Sequence, residues 1–156
     1  MPQYSTHSQA KLDTCHHALK VVFNRVIQAF DTTIICGYRG GAAQNRACDL
    51  GRSRVRFPFS KHNSSPSSAV DAGPYNTETR AVDWPDENVA KIVYASHPLA
   101  RYFVKTLARW YYFGGFVLGV AFALGIKLRW GGDFNKNQKF DDNFVDMPHF
   151  ELEEKV

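Results

Sequence analysis

An uncharged apolar stretch in the second half of the chain constrains the fold more than any other feature. The stretch runs from Trp110 to Ile126, 17 residues without Asp, Glu, Lys or Arg. This length lies near the lower limit for a membrane-spanning helix, so the segment suits either a bilayer or the core of a globular domain. Its glycines are compatible with close packing in either setting: Gly114, Gly115, Gly119 and Gly125. Because an alternating strand pattern rather than a polar loop follows at once, we expect a buried central helix and no transmembrane span.

The composition is that of a globular protein. The 156 residues are enough for one ordinary domain with its own core, and we expect a single domain over residues 1–156. Hydrophobic residues make up 44% and charged residues 22% of the chain, which excludes an intrinsically disordered protein. The net charge of +4 favours anionic partners in general, such as nucleic acid, an anionic membrane or a wall polymer, without selecting one.

The cysteines and the N-terminal residues bear on the cellular compartment. The chain has an odd number of cysteines and no C-x-x-C pair, so we expect reduced thiols rather than a disulfide framework or a thiolate zinc site. The cysteines are Cys15, Cys36 and Cys48. The segment from Met1 to Leu12 is polar and lacks the apolar region of a secretory signal. We therefore expect synthesis in a reducing cytoplasm without a signal peptide.

Residue patterns along the chain predict a mixture of helices and short strands. Apolar residues recur at three- and four-residue steps from Leu12 to Phe30 and predict a helix, and the β-branched run Thr32–Cys36 predicts a buried strand. A glycine-rich turn at residues 37–41 and a long loop at 51–66 separate further elements. The other predicted helices are 42–50, 86–95 and 98–124, and the other strands are 69–72, 81–84, 126–130 and 150–152. Because no βαβ rhythm is present, we predict an α+β fold.

Two histidines and an aspartate are candidate metal ligands. His62 lies at the end of the long loop, Asp71 at the end of a short apolar strand, and His149 at the start of the last strand. Two neutral imidazoles and one carboxylate form a common catalytic zinc set that leaves a fourth position for water. A single histidine or aspartate is usually structural or solvated, so ordinary structural roles are the other interpretation. The weaker candidates among the histidines are His7, His16, His17 and His97.

Two further residues could act beside such a metal. Asp146 lies three residues before His149, and the turn at Met147-Pro148 could aim its carboxylate at a water from which it takes a proton as general base. Arg39 leaves the first predicted strand through a glycine-rich turn and could stabilise the oxyanion that forms on attack of an amide carbonyl. The five residues together describe a candidate site for metal-assisted amide hydrolysis.

Four segments carry a family resemblance. They are Cys36-Gly37-Tyr38-Arg39; Ser60-Lys61-His62 with Ala69-Val70-Asp71 and Pro74-Tyr75; residues 124–133, Leu-Gly-Ile-Lys-Leu-Arg-Trp-Gly-Gly-Asp; and Asp146 with the run His149-Phe150-Glu151-Leu152. In order and approximate spacing these segments resemble the M15 metallopeptidases, the D-Ala-D-Ala carboxypeptidase and L-alanyl-D-glutamate endopeptidase group, especially phage endolysins. The resemblance spans about residues 32 to 152.

The resemblance implies a peptidoglycan peptidase with one zinc ion. It implies that His62, Asp71 and His149 hold the zinc, that Asp146 is the catalytic base and that Arg39 acts on the substrate carbonyl. It also implies a single-domain α+β fold with a small antiparallel sheet packed with helices, as in DD-peptidase and Hedgehog signalling domains, and no separate wall-binding domain. The implied substrate is the stem peptide, cut at the L-Ala-D-Glu bond. The implied place of action is the cell wall of a bacterial host after phage infection.

Two stretches depart from the family's pattern. The usual spacing His-x6-Asp, with a glycine between the ligands, is His-x8-Asp here, and Ser64-Ser65-Pro66-Ser67 occupies the place of the glycine. The helical stretch between Trp84 and Trp110 is longer than in compact members of the family. The first departure concerns the ligand geometry, and the second concerns the shape of the substrate groove or the contacts between subunits.

Other functions stand as alternatives. The first is a D-Ala-D-Ala carboxypeptidase of the same fold. The second is a membrane-associated lysis or structural protein that uses Trp110 to Ile126 and has no peptidase activity. The third is a binding module that keeps zinc but has lost catalysis, which conflicts with the presence of both Asp146 and Arg39.

Two polar segments suggest further ligands. The loop from Arg46 to Lys61 carries five basic residues and one acid, so it is either a solvated basic loop or a site for anionic groups of the wall. Phe57 and Phe59 are interleaved with these charges, but we expect no nucleic-acid partner. The spacing Asp133-x-Asn135-x-Asn137 is that of a calcium loop without its glycine and its final glutamate, so we expect a polar turn and no calcium.

Overall fold

The computed structural model describes residues 2–85 and 98–153. In this part of the chain the helices are α1 (Thr6–Asp13), α2 (His17–Val26), α3 (Gly41–Asp49), a 3₁₀ helix (Lys61–Asn63) and α4 (Pro98–Ala123). The strands are β1 (Thr32–Cys36), β2 (Ala69–Asn76), β3 (Ala81–Val82), β4 (Leu128–Trp130) and β5 (His149–Leu152). This antiparallel sheet with helices confirms the predicted α+β class. The predicted helix at 86–95 lies outside the described residues.

The sheet places two of the predicted metal ligands opposite each other. Its strand order is β1-β2-β5-β4, neighbouring strands are antiparallel, and β3 pairs with the end of β2. In the register of β2 and β5, Asp71 lies opposite His149. In the register of β1 and β2, Cys36 lies opposite Asp71. The inner strand β2 is therefore the element on which the candidate site is built.

The single N-terminal helix that we predict is two helices in the structure. Between α1 and α2, Cys15 forms a parallel β-bridge with Ser67. The N–H of His16 donates to Ser67 O at 2.8 Å, and the N–H of Ser67 donates to Thr14 O at 2.9 Å. These tertiary hydrogen bonds replace helical ones, so the apolar periodicity continues through a break in the helix.

Strand β2 is longer than predicted. The pair Gly73-Pro74 is predicted to end it, but the strand continues to Asn76. A Cβ atom on Gly73 would lie 2.5 Å from Cη2 of Trp110. The glycine therefore makes room for an indole of the core and does not form a turn.

The end of α4 also differs from the prediction. Gly125 has a φ of +69°, and the N–H of Ile126 donates to Ala121 O at 2.9 Å. This is the pattern of a glycine that ends a helix in the left-handed conformation. The strand that we predict from Ile126 therefore begins at Leu128.

The uncharged helix α4 contributes one face to the core. Trp110 and Phe113 are fully buried, whereas Tyr112 and Phe122 on another face are exposed. Phe113 meets Phe150 of β5 edge to face, with ring centroids 5.9 Å apart. Within the described ranges, no helix combines the length and the apolar character that crossing a bilayer requires.

In the turn at Asp133, side-chain oxygens accept hydrogen bonds from backbone N–H groups of the same turn. The carboxylate of Asp133 accepts the N–H of Asn137 at 3.2 Å and of Gln138 at 3.0 Å. The side-chain oxygen of Asn135 accepts the N–H of Asn137 at 3.0 Å. These bonds are those of a polar turn.

Two adjacent glycines of α4 have opposite surroundings. A Cβ atom on Gly114 would lie 2.4 Å from Cζ2 of Trp130, whereas a Cβ on Gly115 would meet nothing within 4 Å. Gly114 is therefore required for packing of the helix on β4, and Gly115 is not.

We expect opposite stability changes from alanine at these two positions. Gly114→Ala forces a rigid indole to move and should lower the free energy of unfolding by about 1–3 kcal/mol. Gly115→Ala, the matched control with the same gain in helix propensity, should raise it by up to about 1 kcal/mol. Urea unfolding of the two variants measures both effects. Equal changes would show that Trp130 does not determine the packing of α4.

Candidate metal centre

The turn that follows β1 orients the ring of His62. His62 lies in the 3₁₀ helix, which begins with a capping box between Ser60 and Asn63. The imidazole is 2% exposed, and its Nδ1 lies 2.6 Å from the carbonyl oxygen of Gly37. Because a carbonyl oxygen only accepts, Nδ1 carries the proton and donates, and Nε2 faces the other side of the ring.

Three candidate ligand atoms converge at the middle of β2. Nε2 of His62 lies 3.0 Å from Oδ1 of Asp71 and 3.2 Å from Nδ1 of His149. Nδ1 of His149 lies 3.1 Å from Oδ1 of Asp71. All three residues are buried. The structure thus brings together the three residues that we predict as ligands, and their role as ligands stays a prediction.

A buried carboxylate determines the tautomer of His149. Nε2 of this ring lies 3.0 Å from Oε2 of Glu151, which also accepts a hydrogen bond from Nε of Arg129 at 2.9 Å through Oε1. Burial alone would raise the pKa of Glu151, but the hydrogen bonds from His149 and Arg129 lower it to about 2. The carboxylate is therefore ionised and accepts Nε2–H, so Nδ1 of His149 keeps its lone pair.

The donor set fits a zinc ion. Lone pairs that face one another at 3.0–3.2 Å repel unless a positive species lies between them. In the metal-free protein a proton on one imidazole fills this role, and a bound metal ion would replace the proton. Tetrahedral zinc bound to nitrogen and oxygen at about 2.0–2.1 Å separates its ligand atoms by about 3.3 Å. Both the atom types and the spacing match.

The charge of Asp71 controls the protonation of the histidines. Burial alone would lower the pKa of His62, but attraction and hydrogen bonding to Asp71 raise it to about 10. The pKa of His149 is raised against the effect of burial by hydrogen bonds to Asp71 and Glu151. Burial would raise the pKa of Asp71, yet both histidines hold it well below its usual range. The metal-free site is therefore an ion pair at neutral pH.

A cysteine that we did not predict in the site lies beside it. Cys36, His62 and Asp71 each offer a ligand atom, and these atoms lie within 4.8 Å of one another. Burial raises the pKa of the Cys36 thiol, but contact with His62 and nearby positive charge outweigh it, so that the pKa is lowered. The set that contains His149 is tighter, and we favour it as the ligand set. Only the register of β1 and β2 would have indicated Cys36.

Arg39 contacts the outer oxygen of Asp71. Its Nη2 lies 2.8 Å from Oδ2 of Asp71, and its Nη1 lies 3.3 Å from Oε1 of the buried Gln44. Asp71 thus offers Oδ1 to the two histidines and Oδ2 to the guanidinium. This contact orients the carboxylate. The action of Arg39 on a substrate carbonyl stays a prediction.

Asp146 begins a tight turn that leads into β5. Its N–H donates to Gly131 O at 2.8 Å, and its carbonyl oxygen accepts the N–H of His149 at 3.0 Å. Nε1 of Trp130 donates to Met147 O at 2.7 Å. A Cβ atom on Gly131 would lie 2.3 Å from Asp146 O, so the close approach requires glycine. The turn is therefore fixed by hydrogen bonds to Gly131 and Trp130 and by close packing against Gly131.

The carboxylate of Asp146 is available for proton transfer. Burial raises its pKa, and the neighbouring charge of Asp71 adds to this effect against the opposite influence of His149. A half-buried carboxylate with a raised pKa is suited to act as a general base.

All five predicted site residues line one cavity of about 570 Å³, a volume typical of ligand sites. They are Arg39, His62, Asp71, Asp146 and His149. Residues 52–55 and 59–61 form one wall, and residues 134 and 142–144 form another. The first wall belongs to the basic loop noted in the sequence, whereas the second wall was not predicted.

Comparisons with known proteins show a shared fold. No protein-family model matches the chain, and no curated protein matches it. Its structure is similar to the crystal structure of the L-Ala D-Glu endopeptidase ChiX of Serratia marcescens, with a TM-score of 0.61 and 21% sequence identity. The similarity covers 97% of this chain and 90% of the Serratia chain. The two proteins therefore share a fold over nearly their whole lengths.

The two candidate ligand sets share His62 and Asp71 and differ in whether His149 or Cys36 is the third ligand. Mutation of each third residue distinguishes the two sets. His149→Ala should weaken zinc binding by more than about 100-fold, beyond what loss of an outer hydrogen-bond partner costs. Cys36→Ala should retain zinc affinity. Competition with a chromophoric chelator measures both variants. A thiolate-to-metal charge-transfer band in the Co²⁺-loaded protein would instead place Cys36 among the ligands.

Zinc binding should weaken as the pH falls through neutrality. The metal requires the lone pair that a proton occupies, and the pKa of His62 in the metal-free site is raised to about 10. The apparent Kd should therefore rise about tenfold per pH unit for each proton that is displaced. Calorimetry in buffers of different ionisation enthalpy counts the released protons. A Kd that stays constant between about pH 6 and 8 would contradict the proton-occupied site.

Proposed function

We propose that the protein is a zinc-dependent peptidase that hydrolyses an amide bond of the peptidoglycan stem peptide. The observation that carries this proposal is the convergence of His62, Asp71 and His149 at 3.0–3.2 Å in a cavity that also contains the carboxylate of Asp146. The shared fold with the Serratia endopeptidase supports it. The four segments that resemble M15 peptidases support it independently of the structure.

His62, Asp71 and His149 would hold the zinc. When bound, zinc would supply Lewis acidity that lowers the pKa of water toward neutrality and polarises a carbonyl group. The protein's own contribution is orientation, because Gly37 O and Glu151 hold both imidazoles in the tautomers that present a lone pair.

Asp146 would act as the general base. Its carboxylate would take a proton from the attacking water and later give it to the leaving amine. The turn held by Gly131 and Trp130 fixes the position of its backbone relative to His149. A raised pKa keeps the proton affinity of the carboxylate above that of an ordinary aspartate.

Arg39 would stabilise the developing oxyanion. A guanidinium carries five N–H groups, and the bonds to Asp71 and Gln44 use two of them. Because Arg39 lines the cavity, its guanidinium would also donate to a substrate oxygen there. The contact with Asp71 fixes the orientation of the guanidinium before substrate binds.

We favour cleavage of the L-Ala-D-Glu bond in the wall of a bacterium. The four segments resemble the endolysin branch of M15 peptidases, and the Serratia neighbour is an L-Ala D-Glu endopeptidase. The D-Ala-D-Ala carboxypeptidase is the runner-up, because it would use the same metal centre. The membrane-associated alternative has no support in a helix of the described residues.

We expect Asp146→Asn to keep zinc and to lose about 10²–10⁴-fold in turnover, the typical contribution of a general base. The measurement is mass spectrometry of purified peptidoglycan after digestion, alongside the zinc content of the protein. The control is Asp13→Asn, which removes one negative charge from the exposed end of α1 and should leave both quantities unchanged. A chelator should stop digestion by the wild type, and added zinc should restore it.

The products distinguish the alternatives. Peptides with a new D-glutamate amino terminus support the endopeptidase, whereas release of only D-alanine assigns the carboxypeptidase. Full activity of Asp146→Asn would remove Asp146 from the mechanism. Zinc-loaded protein that binds wall peptides without cutting them would support the binding module.

A further inference from the structure

A stacked column of side chains joins the two walls of the cavity. The guanidinium carbon of Arg54 lies 4.3 Å from the ring centroid of Phe144. The rings of Phe144 and Phe134 are stacked with centroids 5.9 Å apart, and the guanidinium of Arg129 lies 5.7 Å from the Phe134 ring centroid. The two stacked rings thus lie between two guanidinium groups, and cation–π attraction holds each guanidinium against its ring.

The two cations of the column differ in how their charge is balanced. Arg129 pairs with the buried carboxylate of Glu151. Arg54 donates to the backbone carbonyl of Asn143 at 3.1 Å, and within the described residues no carboxylate pairs with it. In the same loop Arg56 is paired with Asp49 at 2.5 Å. Arg54 therefore presents an unbalanced charge to the cavity.

The surroundings of Arg54 add to this positive charge. Lys61 lines the same cavity and donates its Nζ to a backbone oxygen, Leu152 O, at 3.1 Å. Arg52 also lines the cavity. Among the described residues, four acids line the cavity: Asp71 and Glu151 pair with Arg39 and Arg129, and Asp142 and Asp146 lie outside the wall at residues 52–61. The wall at residues 52–61 thus favours an anionic part of a ligand.

We propose that Arg54 is a specificity-determining residue that binds a free carboxylate of the stem peptide. This inference rests on the proposed function and names the chemical group that the site selects. A planar guanidinium with free N–H groups binds a carboxylate through charge-assisted hydrogen bonds. Its contacts with Phe144 and Asn143 hold the side chain in place, which reduces the entropy lost on binding.

The carboxylate that fits is the α-carboxylate of the D-glutamate next to the cleaved amide. D-glutamate is joined to the following residue through its γ-carboxyl group, so its α-carboxyl group is free. Arg54 and the ligand triad line one cavity, so one bound stem peptide would contact both. Conversion of that carboxylate to a carboxamide removes its charge and keeps its shape. The pair of peptides therefore isolates the interaction with Arg54.

The test compares two synthetic stem peptides that differ only in this group, with zinc-loaded wild type and three variants. Wild type should cleave the carboxylate peptide with a kcat/KM about 10- to 100-fold above the carboxamide peptide, the range of a charge-assisted hydrogen bond. Arg54→Gln should lose this preference, mainly through KM, and cleave the carboxamide peptide at the wild-type rate. Arg54→Lys should keep part of the preference, because the charge remains and the planar, stacked guanidinium is lost. Arg56→Gln, a charge-matched control in the same loop, should behave as wild type.

Two results would overturn the proposal. One is a wild type that does not distinguish the two peptides. The other is an Arg54→Gln variant that loses activity equally on both, since this would show that Arg54 only connects the loops. Calorimetric binding of both peptides to zinc-loaded Asp146→Asn separates this proposal from the proposed function. Discrimination in binding without cleavage by wild type would retain the role of Arg54 and reject the peptidase.

Discussion

The buried carboxylate of Asp71 is the group on which the candidate site depends. A buried charge is costly unless it is paired and hydrogen-bonded, and here each oxygen has its own partners. Oδ1 meets His62 and His149 at 3.0–3.1 Å, and Oδ2 meets Arg39 at 2.8 Å. These partners come from three separate parts of the chain, so one side chain contacts the turn after β1, the 3₁₀ helix and β5. The same convergence leaves two imidazole lone pairs facing Oδ1, which is the feature that selects a cation.

Strand β2 contributes residues both to the candidate site and to the hydrophobic core. The strand carries Asp71 and, two residues further, Gly73, whose missing Cβ admits the indole of Trp110. Residues 69–71 of the same strand pair with β5, which carries His149 and Glu151. A change in the packing of α4 on the sheet would therefore move the strands that hold the ligands. Precise placement of ligands thus follows from placement on paired strands rather than on loops alone.

Much of this could be predicted from sequence where the signal is local. The β-branched run of β1 is visible in a single segment, and the short motifs around His62, Asp71 and His149 are visible one by one. What could not be predicted depends on contacts between distant segments. The break before α2 follows from the bridge of Cys15 to Ser67, and the position of Cys36 opposite Asp71 follows from the register of β1 and β2. No periodicity within a segment encodes which residues face one another across a sheet.

The long connection between His62 and Asp71 shows why spacing in sequence is a weak guide to geometry. Residues 64–66 of this connection are exposed. Both ends of this stretch are fixed, by the cap of the 3₁₀ helix on one side and by the backbone pairing of Ser67 with Thr14 on the other. This stretch therefore faces solvent, where extra residues cost little loop-closure entropy, and the two ligand atoms lie 3.0 Å apart. Ligand geometry depends on where the ends of a loop are anchored, and the loop's length is free to vary.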